Sequence, residues 1–149
     1  TCLNPEALRN GLDRPIGGEY NGCVFARGGY VEYDFGKRTH VGRARIIFDS
    51  DLNRETEPEP LYKLNRNMIH NRALNWPDCC PPRTITRAYR LDGVLEDGSL
   101  IPLVEASDNH QRRCVHDLDA EVCGVRLTLI DTWGLEQCGV FSFDVSETK

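Results

Sequence analysis

Asp49-Ser50-Asp51-Leu52-Asn53-Arg54 places two carboxylates, an amide and a guanidinium within six residues, directly behind an apolar segment. That set suits a polyhydroxylated ligand: Asp and Asn exchange hydrogen bonds with hydroxyls, and Arg offers a planar fork to a hydroxyl pair or a carboxylate. The plainer reading is a turn held by Asx side chains with an ion pair to Arg54. The spacing lacks the glycine and closing glutamate of an EF-hand. Trp76 beside Pro77 and Trp133 beside Gly134 fall in loop-like contexts. An exposed indole stacks on a sugar ring or a partner at small entropic cost, whereas a lone Trp more often plugs the end of a core. His110, Arg112, Cys114 and His116 share parity, with Cys123 nearby. Two His and a Cys on one face suggest zinc, but Arg112 among them repels a cation and the spacing matches no zinc signature. No metal is expected there. Asn109 to Arg113 reads as support for the Asp51 loop or as a contact to a neighbouring domain. Neither GxSxG nor HExxH occurs, and Gly28-Gly29 is too short to cradle a dinucleotide phosphate. No catalytic residue is assigned.

The elements that would position these groups are strands. In Tyr30 to Phe35, Val31, Tyr33 and Phe35 share one face and Glu32 and Asp34 the other, and Gly36-Lys37 reads as a turn. Ala44, Ile46 and Phe48 alternate with Arg43 and Arg45. A third strand, Arg83 to Leu91, carries Ile85, Tyr89 and Leu91 on one side, and Arg87 breaks that face as a bulge would. Asp92-Gly93 and Asp97-Gly98 read as turns around a short connector before Leu100 to Glu105. His110 to His116 reads as a more polar strand. Val125, Leu127 and Leu129 alternate, as do Phe141, Phe143 and Val145. Asn4 and Pro5 start a single helical turn that Asn10-Gly11 stops. Six or seven short amphipathic strands predict an all-β antiparallel sandwich.

Residues 49–82 are the exception. This stretch holds five of the eight prolines together with Cys79 and Cys80, and it reads as a long loop insertion with a short helix over 61–74. Residues 1–149 fit a single domain with a sizeable core. The chain starts at Thr1 without a signal-peptide pattern and is read as a piece of a longer protein or a processed product. A formal charge of −5 argues against a nucleic-acid partner, and no apolar run approaches the roughly 18–20 residues of a membrane helix. Seven cysteines without a CxxC leave disulfides and buried thiols both open.

The order of motifs resembles a known family. Leu8-Arg9-Asn10-Gly11, Asn21-Gly22-Cys23-Val24 and Gly29-Tyr30-Val31-Glu32-Tyr33-Asp34-Phe35-Gly36 look like the opening of galactose-binding-like (discoidin, coagulation-factor type C) domains. Asp92-Gly93, Val122 to Ile130 and Val140 to Val145 fall where that family has later strands. A narrower likeness joins Arg14 to Gly18, Phe48 to Arg54, Asn109 to Arg113 and Thr132-Trp133-Gly134 to the sandwich domain at the C-terminus of some bacterial FAD-dependent oxidoreductases. The resemblance implies a jelly roll with calcium as its one structural ion. Tyr30 where Trp is common and Asn10 where Asp is common weigh against that ion, and no other cofactor is expected.

The expected function is a non-catalytic accessory module that binds carbohydrate or docks onto an attached catalytic domain, which the narrower likeness implies is an FAD-dependent oxidoreductase. Its expected contacts are Asp51, Asn53, Arg54, Asn109, Arg112 and Trp133. The alternative is a small carboxylate-dependent hydrolase acting on a saccharide, which needs two carboxylates about 5–9.5 Å apart in a cleft.

Overall fold

The computed structural model describes residues 4–52 and 81–147. A 3-10 helix, Pro5–Arg9, opens them, with Pro at its start and Gly11 at φ +78° just beyond its end. Six strands follow: β1 (Cys23–Ala26), β2 (Tyr30–Phe48), β3 (Thr86–Val94), β4 (Leu100–Ala106), β5 (Arg113–Thr132) and β6 (Gln137–Ser146). All neighbours pair antiparallel, in the order β1-β6-β2-β5-β3-β4. Among the described residues no helix is long and apolar enough to cross a membrane.

This one sheet becomes two layers because β2 and β5 fold over. Tyr89 on β3 pairs with Leu129, yet its hydroxyl meets His116 Nε2 at 2.8 Å. Thirteen residues of straight strand separate 116 from 129, a span of about 40 Å, so β5 must bend back across its own length. β2 does the same: Tyr33 pairs with Val125, while its ring stacks on Phe143 at 4.9 Å, and Phe143 pairs with Ile46. One layer therefore holds β1, β6 and the 43–48 and 113–117 ends of the long strands; the other holds their remaining halves with β3 and β4. Leu8, Ile46, Phe48, Leu91, Val122, Leu127, Leu129 and Phe143 fill the space between.

The bends are made by irregular pairing. The β2–β5 register slips between Asp34 and Thr39 and again between Val41 and Arg43, and such bulges bend a strand sharply. Gly124 permits close approach at the first slip, since a Cβ there would meet Tyr33 O at 2.5 Å.

Alternation gave the inward faces correctly at Val31, at Ala44, Ile46 and Phe48, and at Val125, Leu127 and Leu129, all buried. The bulge expected at Arg87 is present, with register slips on both sides of Ala88. Four local expectations are corrected. Gly36-Lys37 does not reverse the chain; Gly36 takes φ +68° within the continuous β2. Asp92-Gly93 lies inside β3, where Asp92 is buried against Arg90 Nε at 2.8 Å and a Cβ on Gly93 would meet Val122 Cγ1 at 2.5 Å. The polar strand starts at Arg113, and with the 125–130 segment it makes one strand of 20 residues. Phe141 leaves the face of Phe143, because the β2–β6 register slips between Ile47 and Phe48 and brings Val140 inward. Phe141 packs instead on Tyr20, with ring centroids 4.8 Å apart. The turn at Asp97-Gly98 is as expected: Ser99 O accepts Leu95 N at 2.9 Å.

Candidate functional site

Folding β5 over brings the loops before and after it to the same end of the sandwich. Loop 107–112 leads into Arg113 and loop 133–136 follows Thr132, yet Trp133 Nε1 donates to Asn109 O at 2.7 Å. The start of β3 joins them through Asn109 N to Arg87 O at 2.9 Å, and the end of β2 through Phe48 N to Arg112 O at 2.8 Å. The β1–β2 turn closes the group, with Arg27 donating to Leu135 O at 2.9 Å. Thr132 Oγ1 accepts Leu135 N at 2.8 Å and so shapes the loop carrying Trp133. Loop tips on a rigid sandwich are the usual place for recognition.

Of the six expected contacts, Asn109, Arg112 and Trp133 lie on loops at this one end. Their side chains do different work. Asn109 is a keystone: Nδ2 donates to Thr86 O at 2.8 Å and Gln111 O at 3.0 Å, and Oδ1 accepts Gln111 N at 3.0 Å. Its amide is spent on the chain itself. Arg112 is half-buried and turns inward, donating from Nη2 to Asp13 O. Trp133 is half-buried, with its N–H fixed and the Arg87 guanidinium 5.6 Å from its ring centroid. Asp51 sits at φ +48° with its N–H on Asp49 Oδ1 at 2.8 Å, an Asx turn. Asn53, Arg54, Trp76 and the 61–74 helix lie outside the described residues.

The residues that sequence reasoning missed are charged. Asp131 lies between two arginines, 2.7 Å from Arg87 Nη2 and 3.3 Å from Arg27 Nε. Arg83 Nη2 donates to Gly134 O at 3.1 Å. In the sequence Arg87 shows only as a break in an apolar face, and its partner is 44 residues away. The result is a flat indole beside guanidinium donors that are held in place by a carboxylate and by backbone carbonyls.

Behind this end lies a titratable cluster of buried Tyr89 and Cys114 with half-buried His116. Cys114 and His116 face inward against Tyr89, while His110 is exposed on the loop. Among the described residues no group of three or more His, Cys, Asp or Glu is placed to hold a metal. Cys23 is disulfide-bonded, whereas Cys114, Cys123 and Cys138 are free thiols, so both states left open by the cysteine count occur in one molecule. Burial raises the Cys114 thiol and, together with its bond to Cys114, the Tyr89 phenol. Burial lowers His116 from its ordinary 6.5. The folded state therefore binds its proton less readily than the unfolded chain does. The His116 contribution is fully present above about pH 6.5 and is lost as pH falls through the lower folded value, with a slope of at most about 1.4 kcal/mol per pH unit. Urea midpoints measured from pH 7.5 to 5 are expected to fall in wild type. They are expected to fall less steeply in His116→Gln; parallel profiles would refute this.

The architecture is the galactose-binding-like jelly roll. By sequence the chain matches no family model, and no curated protein matches it. Among solved structures it is similar to the family 32 carbohydrate-binding module of Streptococcus pneumoniae EndoD, with TM-score 0.66 and 13% identity over 99% of this chain and 87% of that one. It is also similar to the AlyQ module in complex with 4,5-unsaturated mannuronic acid, with TM-score 0.61 and 10% identity over 98% and 92%. The family 32 module of Clostridium perfringens NanJ, in complex with galactose, gives TM-score 0.57 and 10% identity over 93% and 81%.

Proposed function

We propose that this domain is a non-catalytic carbohydrate-binding module whose loop end, built around Trp133, receives a saccharide ring. The carrying observation is the fixed indole. Its N–H is held by Asn109 O at 2.7 Å and Arg87 flanks the ring, so a planar apolar surface stands beside hydrogen-bond donors. A pyranose presents the same pairing of apolar face and hydroxyl edge, and stacking on a pre-ordered Trp costs little entropy. The similar structures support this reading, being carbohydrate-binding modules with galactose or an unsaturated uronic acid bound. The non-catalytic part rests on Asp131, whose two oxygens are each engaged by an arginine. Attachment to a catalytic domain of the same polypeptide belongs to the proposal, and the narrower likeness to flavoenzyme-appended domains supports it.

Calcium has no part in this reading. Asn10 Oδ1 is occupied by Leu12 N at 2.7 Å, and the nearby Asp13 carboxylate already faces the Arg45 guanidinium at 3.4 Å. Calorimetric titration with galactose, a chitosan oligosaccharide and an unsaturated uronic acid, with and without EDTA, tests the whole statement. At least one sugar is expected to give a saturable heat that EDTA does not change. Silence with all three, followed by silence on a broad glycan array, would overturn it.

A further inference from the structure

Asp13 lies on the segment between the 3-10 helix and β1, remote in sequence from the 107–112 and 133–136 loops of the binding end. It nevertheless touches both the sheet and one of those loops. Its carboxylate Oδ2 faces Arg45 Nη1 at 3.4 Å, and its backbone carbonyl accepts Arg112 Nη2. Arg45 is anchored in turn: Nη2 lies 2.8 Å from Asp144 Oδ2 and 3.2 Å from Ser142 Oγ, across the β2–β6 pairing. Arg112 belongs to the loop on which Asn109 O holds the Trp133 indole.

Two polar atoms on this linkage are buried with no hydrogen-bond partner among the described residues, Asp13 Oδ1 and Arg112 Nε. One is an acceptor and the other a donor. An arginine selected only for a ligand would present its fork to solvent. Arg112 instead commits one nitrogen to Asp13 and buries a second.

We infer that Asp13 is a positioning residue of the binding end, pinned to the sheet by Arg45 and holding, through Arg112, the loop that orients Trp133. The functional consequence rests on the saccharide reading above, whereas the mechanical part does not. The linkage runs through contiguous bonds: Asp144 to Arg45, Arg45 to Asp13, Asp13 to Arg112, and by the 109–112 backbone to Trp133. Such a chain of contacts is a claim about coupling and needs a coupling measurement.

Trp76→Phe leaves Trp133 as the sole tryptophan and a reporter that needs no sugar. In that background Asp13→Ala is expected to raise acrylamide quenching of Trp133 and to weaken galactose binding by about 2–30-fold. Asp13→Asn, which keeps an oxygen toward Arg45, is expected to stay near the parent. Asp13→Ala combined with Arg45→Met is expected to be no worse than Asp13→Ala alone, because both cut the same link. Unchanged quenching in a folded Asp13→Ala protein would overturn the inference. Should that variant fail to fold, Arg112→Met is the second test, and unchanged quenching there overturns it equally. Increased quenching in a protein that binds no sugar would uphold the positioning role and defeat the saccharide reading alone.

Discussion

Alanine at Trp133 is expected to weaken saccharide binding by about 30-fold or more, equivalent to about 2 kcal/mol or more, the effect of truncating an aromatic anchor that the ligand covers. The size follows from what the side chain contributes. Trp133 supplies a flat ring already immobilised by Asn109 and flanked by Arg87, so little ordering cost opposes stacking. Trp133→Phe keeps a ring but loses the N–H anchor, and it is expected to fall between wild type and alanine. Arg87→Ala is expected to cost less than Trp133→Ala, because Asp131 keeps Arg27 as a partner. Titration calorimetry, with far-ultraviolet circular dichroism as a check on folding, measures all three. Binding by Trp133→Ala equal to wild type would move the site elsewhere on the molecule.

Tyr89→Ala is expected to destabilise the fold by about 3–5 kcal/mol, the range for removing a large buried aromatic side chain. Tyr89 is 1% exposed and joins parts of the fold that are far apart in sequence. Its ring meets Phe48 at a centroid distance of 5.0 Å, and its hydroxyl meets His116 at 2.8 Å. Tyr89→Phe separates the two contributions. It keeps the ring and removes the hydroxyl partner of the half-buried His116 Nε2, at an expected cost of about 0.5–1.5 kcal/mol. Urea denaturation gives both values. A Tyr89→Ala protein within about 1 kcal/mol of wild type would mean that the layers do not close on this residue.

The class of fold was legible because alternation is a local property. Val125, Leu127 and Leu129, or Ala44, Ile46 and Phe48, declare their inward face whatever the strand pairs with. What alternation does not encode is whether a break between two such runs is a turn or a bend. Gly36 at φ +68° serves both, and only the pairing of β2 with β5 on either side of it makes it a bend. Asp92-Gly93 misleads for a related reason. The acidic residue is matched by Arg90 two positions earlier, and the glycine is required by Val122 from another strand. At the Trp133 end, Asn109, Arg112 and Trp133 are legible in the sequence as loop residues of suitable chemistry, and the fold places their loops side by side. The division of labour among them was hidden, since it depends on Thr86, Arg87, Asp13 and Asp131, which are brought there only by the tertiary fold.

The doubling back of β5 also bears on how the Trp133 end is assembled. Its two flanks are some twenty residues apart along the chain and meet only after the distant β2–β5 and β3–β5 ladders have formed, long-range pairings of the kind that make folding slow. Each loop has a local turn of its own, but the bond that joins them, Trp133 Nε1 to Asn109 O, requires the folded sheet. Competence to hold a ligand and global folding are then one cooperative event. Any ligand seated on Trp133 stabilises the whole sandwich in proportion to its occupancy, and the melting temperature itself serves as a binding assay.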